Sequence, residues 1–258
     1  MTTTEKIKFL FSHPKRIIPI VFLNKLGFQL QLNENIRDLC VGECIEIGAY
    51  SKPASIPYSS SIKYADIHDA EEAKKVLEVR KNYRYHTHKF VNVDIFFKKN
   101  EPPLTSIEDE SVDTVFSSQS LEHSPNPIAA LIDYIRVLKK GGVVYTIIPN
   151  KDFTYDCMRK PTSINKLINK YLNNNWDYKL EEFEEMFKNT SGHDQYPDTS
   201  QESIIKTHKD DDGTHHVYCY DPSSALELIK FVLSQSNSSL ILYDVVNRPN
   251  IEFAIRKL

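Results

Sequence analysis

The chain has 258 residues, of which 40% are hydrophobic and 26% charged, with a net charge of −3. Such values describe an ordinary folded protein of one large domain, or one domain carrying an insertion, and exclude wholesale disorder. The small negative charge excludes a dedicated nucleic-acid binder, which would carry a basic excess. No run reaches the roughly 20 apolar residues a spanning helix needs, so no stable membrane insertion is expected. The four cysteines, Cys40, Cys44, Cys157 and Cys219, have no paired spacing of the zinc type and read as free thiols of a cytoplasmic protein.

Residues 1–42 read as a helical lead-in. Their apolar residues are interrupted by Glu5, His13, Pro14, Lys15, Arg16 and Pro19, so a signal peptide is not expected. Glu43–Gly48 is predicted as the first strand, with Cys44, Ile45 and Ile47 apolar. Ile62–Ile67 is the second, followed by a helix over Asp69–Arg80, and Lys89–Ile95 is the third. Val112–Phe116 suits a buried fourth strand. A polar loop, Ser117–Pro127, precedes a helix with Ile128, Leu131, Ile132, Ile135 and Leu138 on one face. Lys139 and Lys140 suit that helix's negative end, and Gly141-Gly142 its left-handed stop. Val143–Ile148, nearly all apolar, reads as a central strand covered on both faces. Helical spacing returns over Ile164–Leu172 and Leu180–Lys188. A last helix is predicted over Pro222–Val232, capped by Asp221, then strands at Leu240–Val246 and Ile251–Ile255.

The run LEHSPNP followed by RVLKKGGVVYTIIPN resembles the second half of class I S-adenosylmethionine-dependent methyltransferases in order, spacing and residue type. The resemblance covers roughly 43–150 and 221–258. It implies an α/β fold, a Rossmann-like three-layer sandwich. Its seven-stranded sheet would be mostly parallel with an antiparallel last strand, and an insertion would separate strand five from the final helix. The methyltransferase domain would then be 43–258, with 151–220 an insertion on the acceptor side. S-adenosyl-L-methionine is the implied cofactor. Glu46 and Gly48 stand where the family has an acid and a glycine loop, but Ala49, Tyr50, Ser51, Lys52 and Pro53 follow in place of further glycines. The likeness is therefore to a glycine-poor branch, of the kind found in bacterial capsule and surface-glycan clusters.

The resemblance places cofactor contacts at Glu46, Gly48, Ala49, Asp66, Asp94, Ser118 and Ser120. Asp66 lies about twenty residues beyond the first-strand acid, where related sheets hold ribose hydroxyls; a helix-capping Asp is the bland alternative. Asp94 matches the acid near the adenine amine, or is an ordinary strand-end carboxylate. Candidate proton acceptors are His123 on the rim and His193, His215 and His216 in the insertion, since imidazole titrates near neutral pH. In extended backbone His215 and His216 point to opposite faces, so one of the two at most would face a pocket. Arg159 and Lys160 could hold an anionic part of the acceptor, or be surface charges. The acidic run Asp210–Asp212 reads as a solvated loop. His86 and His88 share a face of an extended segment, but nothing nearby completes a ligand set, and no metal is expected. The expected reaction is O-methylation of a sugar or a phosphorylated or nucleotide-linked small molecule for surface glycan. A non-catalytic module that keeps the fold is the rival reading, and a nicotinamide-dependent dehydrogenase a distant third. The expected partner is a small-molecule or glycan-precursor acceptor, with a homodimer compatible and no nucleic acid.

Overall fold

The structure is a computed structural model that describes residues 41–50, 53–54, 60–79, 90–190, 198–211, 213–245 and 249–258. Most of the expected lead-in, Cys40, His86, His88, His193 and Asp212 lie outside the described residues.

Seven strands form one sheet: β1 (Glu43–Ile47), β2 (Ser61–Asp66), β3 (Ile95–Phe96), β4 (Val112–Ser118), β5 (Leu138–Pro149), β6 (Ser238–Asp244) and β7 (Asn250–Lys257), in the order β3-β2-β1-β4-β5-β7-β6. β1 to β5 pair in parallel, while β7 runs antiparallel to both β5 and β6. The mostly parallel α/β sheet with an antiparallel last strand is thus present as expected. The order reverses between β1 and β4, so the crevice for a ligand opens at their carboxyl ends.

Register explains why these strands are so apolar. Val115, Val144 and Ile255 stand side by side across β4, β5 and β7, and their neighbours Phe116, Tyr145 and Ala254 do the same. Successive side chains alternate between faces. The first set joins the large core and the second a smaller cluster with Ala54, Val143 and Ile147. Six helices accompany the sheet among the described residues: α1 (Ala70–Val79), α2 (Pro127–Val137), α3 (Ile164–Leu172), α4 (Leu180–Asn189), α5 (Gln201–Lys209) and α6 (Pro222–Gln235). α2, α3 and α6 pack on one another over the large core. α6 begins as the sequence implies, with Asp221 accepting from the Ser224 amide at 2.8 Å and Ser224 returning a bond at 3.0 Å.

Two expectations need correction. The third strand is only Ile95–Phe96 within the described residues, so Asp94 precedes it. α2 stops at Val137, because Leu138 is already extended (ψ 138°) and starts β5. Lys139 therefore serves a strand bulge rather than a helix end, and its ammonium meets Asp113 at 2.9 Å. Gly141, at φ +82°, supplies the left-handed step of that bulge. Helix α5, which carries few apolar residues, was not foreseen. Glu182 is buried and binds Lys166 at 2.9 Å and Lys170 at 3.1 Å, clamping α4 to α3.

Asn126 ties these layers together. It is wholly buried, its Oδ1 caps α2 by accepting from Ala129, and its Nδ2 donates to the carbonyls of Lys170 and Asn175, both at 3.3 Å. Loss of a cap costs about 0.5–2 kcal/mol, and the Asn175 carbonyl left unpaired about 1–3 kcal/mol, whereas the Lys170 carbonyl keeps the Asn175 amide at 2.9 Å. Asn126→Ala is therefore expected to lower unfolding free energy by about 2–4 kcal/mol in urea titration. A change within about 0.5 kcal/mol would show that the tie between α2 and the 170–175 turn is not needed.

Candidate active site

The crevice is built from the ends of β1, β2 and β4. Gly48, directly after β1, is at φ +70°, and a Cβ there would lie 2.2 Å from Ser120 Oγ. Only glycine fits, for backbone and for space. Ser120 itself donates to the Ile47 carbonyl at 3.0 Å, so the loop after β4 is fastened to the end of β1. Ala49 is buried beside it. Glu46, 1% exposed, accepts from the Ala54 amide with both oxygens at 3.0 Å. It thereby ties Ala54 back to the end of β1. Burial pushes its carboxyl up to about 8, against the pull of that one bond.

At the end of β2, Asp66 is buried, and burial raises its pKa. Its Oδ1 accepts from the amides of Ile67 (2.7 Å) and His68 (3.2 Å). Oδ2 takes no such bond among the described residues. Asp94 is different. It is exposed, and its carboxylate accepts from the Tyr64 amide at 2.9 Å, fastening the chain before β3 to β2. Ser118, the last residue of β4, has a buried hydroxyl with no hydrogen-bond partner among the described residues.

Past β4 the chain turns sharply at Gln119 (φ +53°) into a short 3-10 turn, Leu121–His123. This turn brings Glu122 and His123 onto the rim, and the segment after α5 brings His216 to the same place. His216 Nε2 and His123 Nε2 each lie 3.8 Å from Glu122 Oε1. The two imidazoles meet edge to face at 4.9 Å, and Tyr155 stacks on His216 at 4.8 Å. His216 Nδ1 bonds Asp156 at 2.9 Å, and His123 Nδ1 bonds the His215 carbonyl at 2.9 Å. The Asp156 carboxylate and the His215 carbonyl can only accept. Both rings therefore carry their proton on Nδ1 when neutral and present Nε2 toward Glu122. The sequence places His215 and His216 on opposite faces, and so they lie: the His215 ring packs against Phe183 at 5.9 Å. His215 acts on the site through its backbone.

Asp156 and Glu122 were not picked out from the sequence. Asp156 is fully buried; burial raises its pKa, but His216 and Arg159 outweigh that and hold it below the usual carboxylate range. Glu122 is also fully buried. No hydrogen bond of good geometry reaches either of its oxygens, and burial pushes its pKa up to about 7 despite the fields of His216 and its own amide. The only sequence signal for Asp156 is its i,i+3 spacing to Arg159. Arg159 corrects the expectation of an anion-binding surface charge. It is buried, paired to Asp156 at 2.9 Å and Glu185 at 2.7 Å, and donates to the carbonyls of His216 (2.5 Å) and Val217 (2.7 Å). Its donors are spent on the chain itself. The acidic run is likewise not simply solvated: Asp211 is bound by the Lys99 ammonium at 2.9 Å, beyond β3. Nine residues later the same segment joins β5, where Tyr220 bridges Asn150 and accepts from the Lys151 amide at 2.7 Å.

Residues 57–146 match a family model described as "Methyltransferase domain". No curated protein matches the chain. A carbon methyltransferase structure aligns at 13% identity over 84% of this chain and 49% of its own, with a TM-score of 0.39; this chain thus spans about half of that protein. A Methanosarcina mazei structure described as an S-adenosylmethionine-dependent methyltransferase gives 13%, 89% and 99%, with a TM-score of 0.46. A putative zinc-dependent alcohol dehydrogenase of Rhodobacter sphaeroides gives 9%, 88% and 91%, with 0.48. Structural likeness this low does not separate activities. The family match falls on the β2-to-β5 region that frames the crevice. Over these residues the chain is similar to a methyltransferase domain.

Two predictions follow from the acids of the crevice. Glu46 binds its proton more tightly folded (about 8) than unfolded (4.5). Its contribution to stability is therefore complete below the unfolded value and is lost as pH rises through the folded one, with a slope of up to about 1.4 kcal/mol per pH unit. Glu46→Gln, which still accepts from Ala54, should flatten the fall in melting temperature over that window; an unchanged pH profile would mean that Glu46 is ionised at neutral pH. Asp66→Ala should weaken S-adenosylhomocysteine binding by about 1.5–3 kcal/mol, the range for a hydrogen bond to a charged group. Calorimetry showing unchanged affinity would remove Asp66 from the cofactor's contacts.

Proposed function

We propose that this chain methylates an oxygen of a small, glycan-related acceptor in the cytoplasm, and that 151–220 forms the acceptor side of the site. In this reading Glu46, Gly48, Ala49, Asp66, Asp94, Ser118 and Ser120 line the cofactor's side of the crevice. Two observations support the fit: the buried Ser118 hydroxyl lacking a partner, and the Asp66 oxygen that takes no bond from its own loop. When bound, the cofactor supplies an electrophilic methyl carbon whose bond to sulfur breaks with the electron pair returning to sulfur.

The chain's task is to orient an acceptor oxygen toward that carbon and to draw off its proton. The observation that carries the reading is the convergence of His123, His216 and Glu122 on the rim beside β4, with Asp156 fixing the His216 tautomer. The acceptor hydroxyl is held there and loses its proton there. Tyr155, stacked on His216, offers an aromatic surface of the kind that suits a sugar ring. The preference for a glycan precursor rests on the resemblance of the glycine-poor stretch after Gly48 to methyltransferases of surface-glycan clusters. Asp94, already bonded to Tyr64, is the weakest member of the cofactor set, and His193 remains an acceptor-side candidate.

The test is a set of single substitutions assayed twice, by calorimetry with S-adenosylhomocysteine and by methyl transfer to a panel of sugar nucleotides and phosphosugars. His123→Ala and His216→Ala should keep cofactor affinity and lose roughly a hundredfold or more in turnover, the scale of general acid–base help. His215→Ala should lose far less, because its carbonyl, not its ring, supports His123. Near-full turnover in both His123→Ala and His216→Ala would remove the rim histidines from the reaction.

A further inference from the structure

The centre on the rim has more structure than proton transfer from an acceptor requires. Three side chains of the right types, one carboxylate and two imidazoles, place one donor atom each within 4.8 Å of one another. Two come from adjacent residues of a single turn, Glu122 and His123, and the third, His216, from the returning segment after α5. Around a four-coordinate zinc ion, with bonds of about 2.0–2.2 Å, ligand atoms stand roughly 3.4 Å apart. The two distances from Glu122 Oε1, both 3.8 Å, are within half an ångström of that.

Two independent features point the same way. Glu122 is wholly buried, is aimed between the two rings, and takes no hydrogen bond of good geometry on either oxygen. Burying such a carboxylate is costly unless a cation or donors meet it. Each imidazole is also oriented from behind. Asp156 holds Nδ1 of His216 and the His215 carbonyl holds Nδ1 of His123, both at 2.9 Å. Metal-binding histidines almost always have such a carboxylate or carbonyl behind them, since it fixes the tautomer and raises the basicity of the other nitrogen. The rings keep 20% and 15% of their side-chain surface exposed, so the centre is open on one side.

We propose that Glu122, His123 and His216 form a site for a divalent transition-metal ion of zinc type, with an open position for the acceptor's oxygen. Two nitrogen donors and one oxygen donor with a vacant fourth place is a donor set that suits zinc and its neighbours. Held on the ion, the acceptor hydroxyl loses its proton to solvent water at a lower pH than it would unaided, and the resulting oxygen anion is the nucleophile. This role rests on the proposed function; the metal site itself does not.

The experiment titrates Co2+ and Zn2+ into full-length protein previously dialysed against a chelator. It follows the visible absorption of Co2+ and the stoichiometry by calorimetry. One Co2+ per chain with the intense bands of four- or five-coordination is expected. Those bands should disappear in Glu122→Gln and His216→Ala, and persist in a His86→Ala/His88→Ala control. Asp156→Asn should weaken binding by about 10- to 100-fold, as loss of a supporting partner does. Glu122→Gln keeps the size of the buried side chain and so guards against loss of fold, which melting curves would register. An absence of such bands, or bands that survive Glu122→Gln, overturns the proposal. Turnover lost in His216→Ala without any metal binding would overturn the metal while leaving the proposed function standing. Metal binding lost in Glu122→Gln, with no methyl transfer by the metal-loaded wild type, would uphold the site and sink the function.

Discussion

A single buried guanidinium carries the architecture of the rim. Arg159 is almost wholly out of water, and two carboxylates and two backbone carbonyls surround it. A buried charge persists only where its partners use its donors fully, and here they do. The carbonyls belong to His216 and Val217, so the cation decides where the returning chain passes. One carboxylate, Asp156, then holds the His216 ring. The other, Glu185, lies on α4, which brings the helical part of 151–220 against the same point. Loop, helix and imidazole are positioned together, because one side chain touches all three.

Around this hub the crevice is unusually rich in acids with little water. Glu46, Asp66 and Glu122 sit at the ends of β1, β2 and β4, and burial raises the pKa of each. Their partners are mainly backbone amides, or none of good geometry in the case of Glu122. This is the opposite of a surface ion-pair network. Desolvation dominates, and each acid is poised to gain from a donor or cation that enters the crevice. His216 and Arg159 together keep Asp156 out of that group, since its pKa falls rather than rises.

Much of the fold was readable because the sheet is parallel and its strands are buried on both faces. Val143–Ile148 and Val112–Phe116 could hardly be anything else, and Asp221-Pro222 announces α6. Boundaries failed where backbone geometry, not apolarity, decides them. Nothing in RVLKKGG says that Leu138 leaves the helix and that the glycines turn a strand instead. Gly48 could be placed as the one essential glycine, but not the reason for it, since Ser120 approaches from seventy residues away. The histidines of the rim were legible as types: His123 and His216 converge, while His215 turns aside as alternation requires. Asp156 and Arg159 were not, because a buried pair reads in sequence as two surface charges. Only the third dimension shows that Glu122, an ordinary acid in a polar loop, has lost its water.

The two anchors of the returning segment set a length. Asp211 is fastened beyond β3 and Tyr220 beside β5, so the residues between them cross four gaps between neighbouring strands. At about 4.8 Å per gap the crossing is roughly 19 Å, whereas the same nine or so residues could extend to about 30 Å. The crossing is therefore slack by around a third of its contour. That surplus is what lets Val217 turn back to bond the His215 carbonyl while the His216 ring dips toward Glu122. The tolerance of this span is asymmetric. Added residues would find room in the existing slack, but removal of three would draw it straight and lift the imidazole away from the carboxylate.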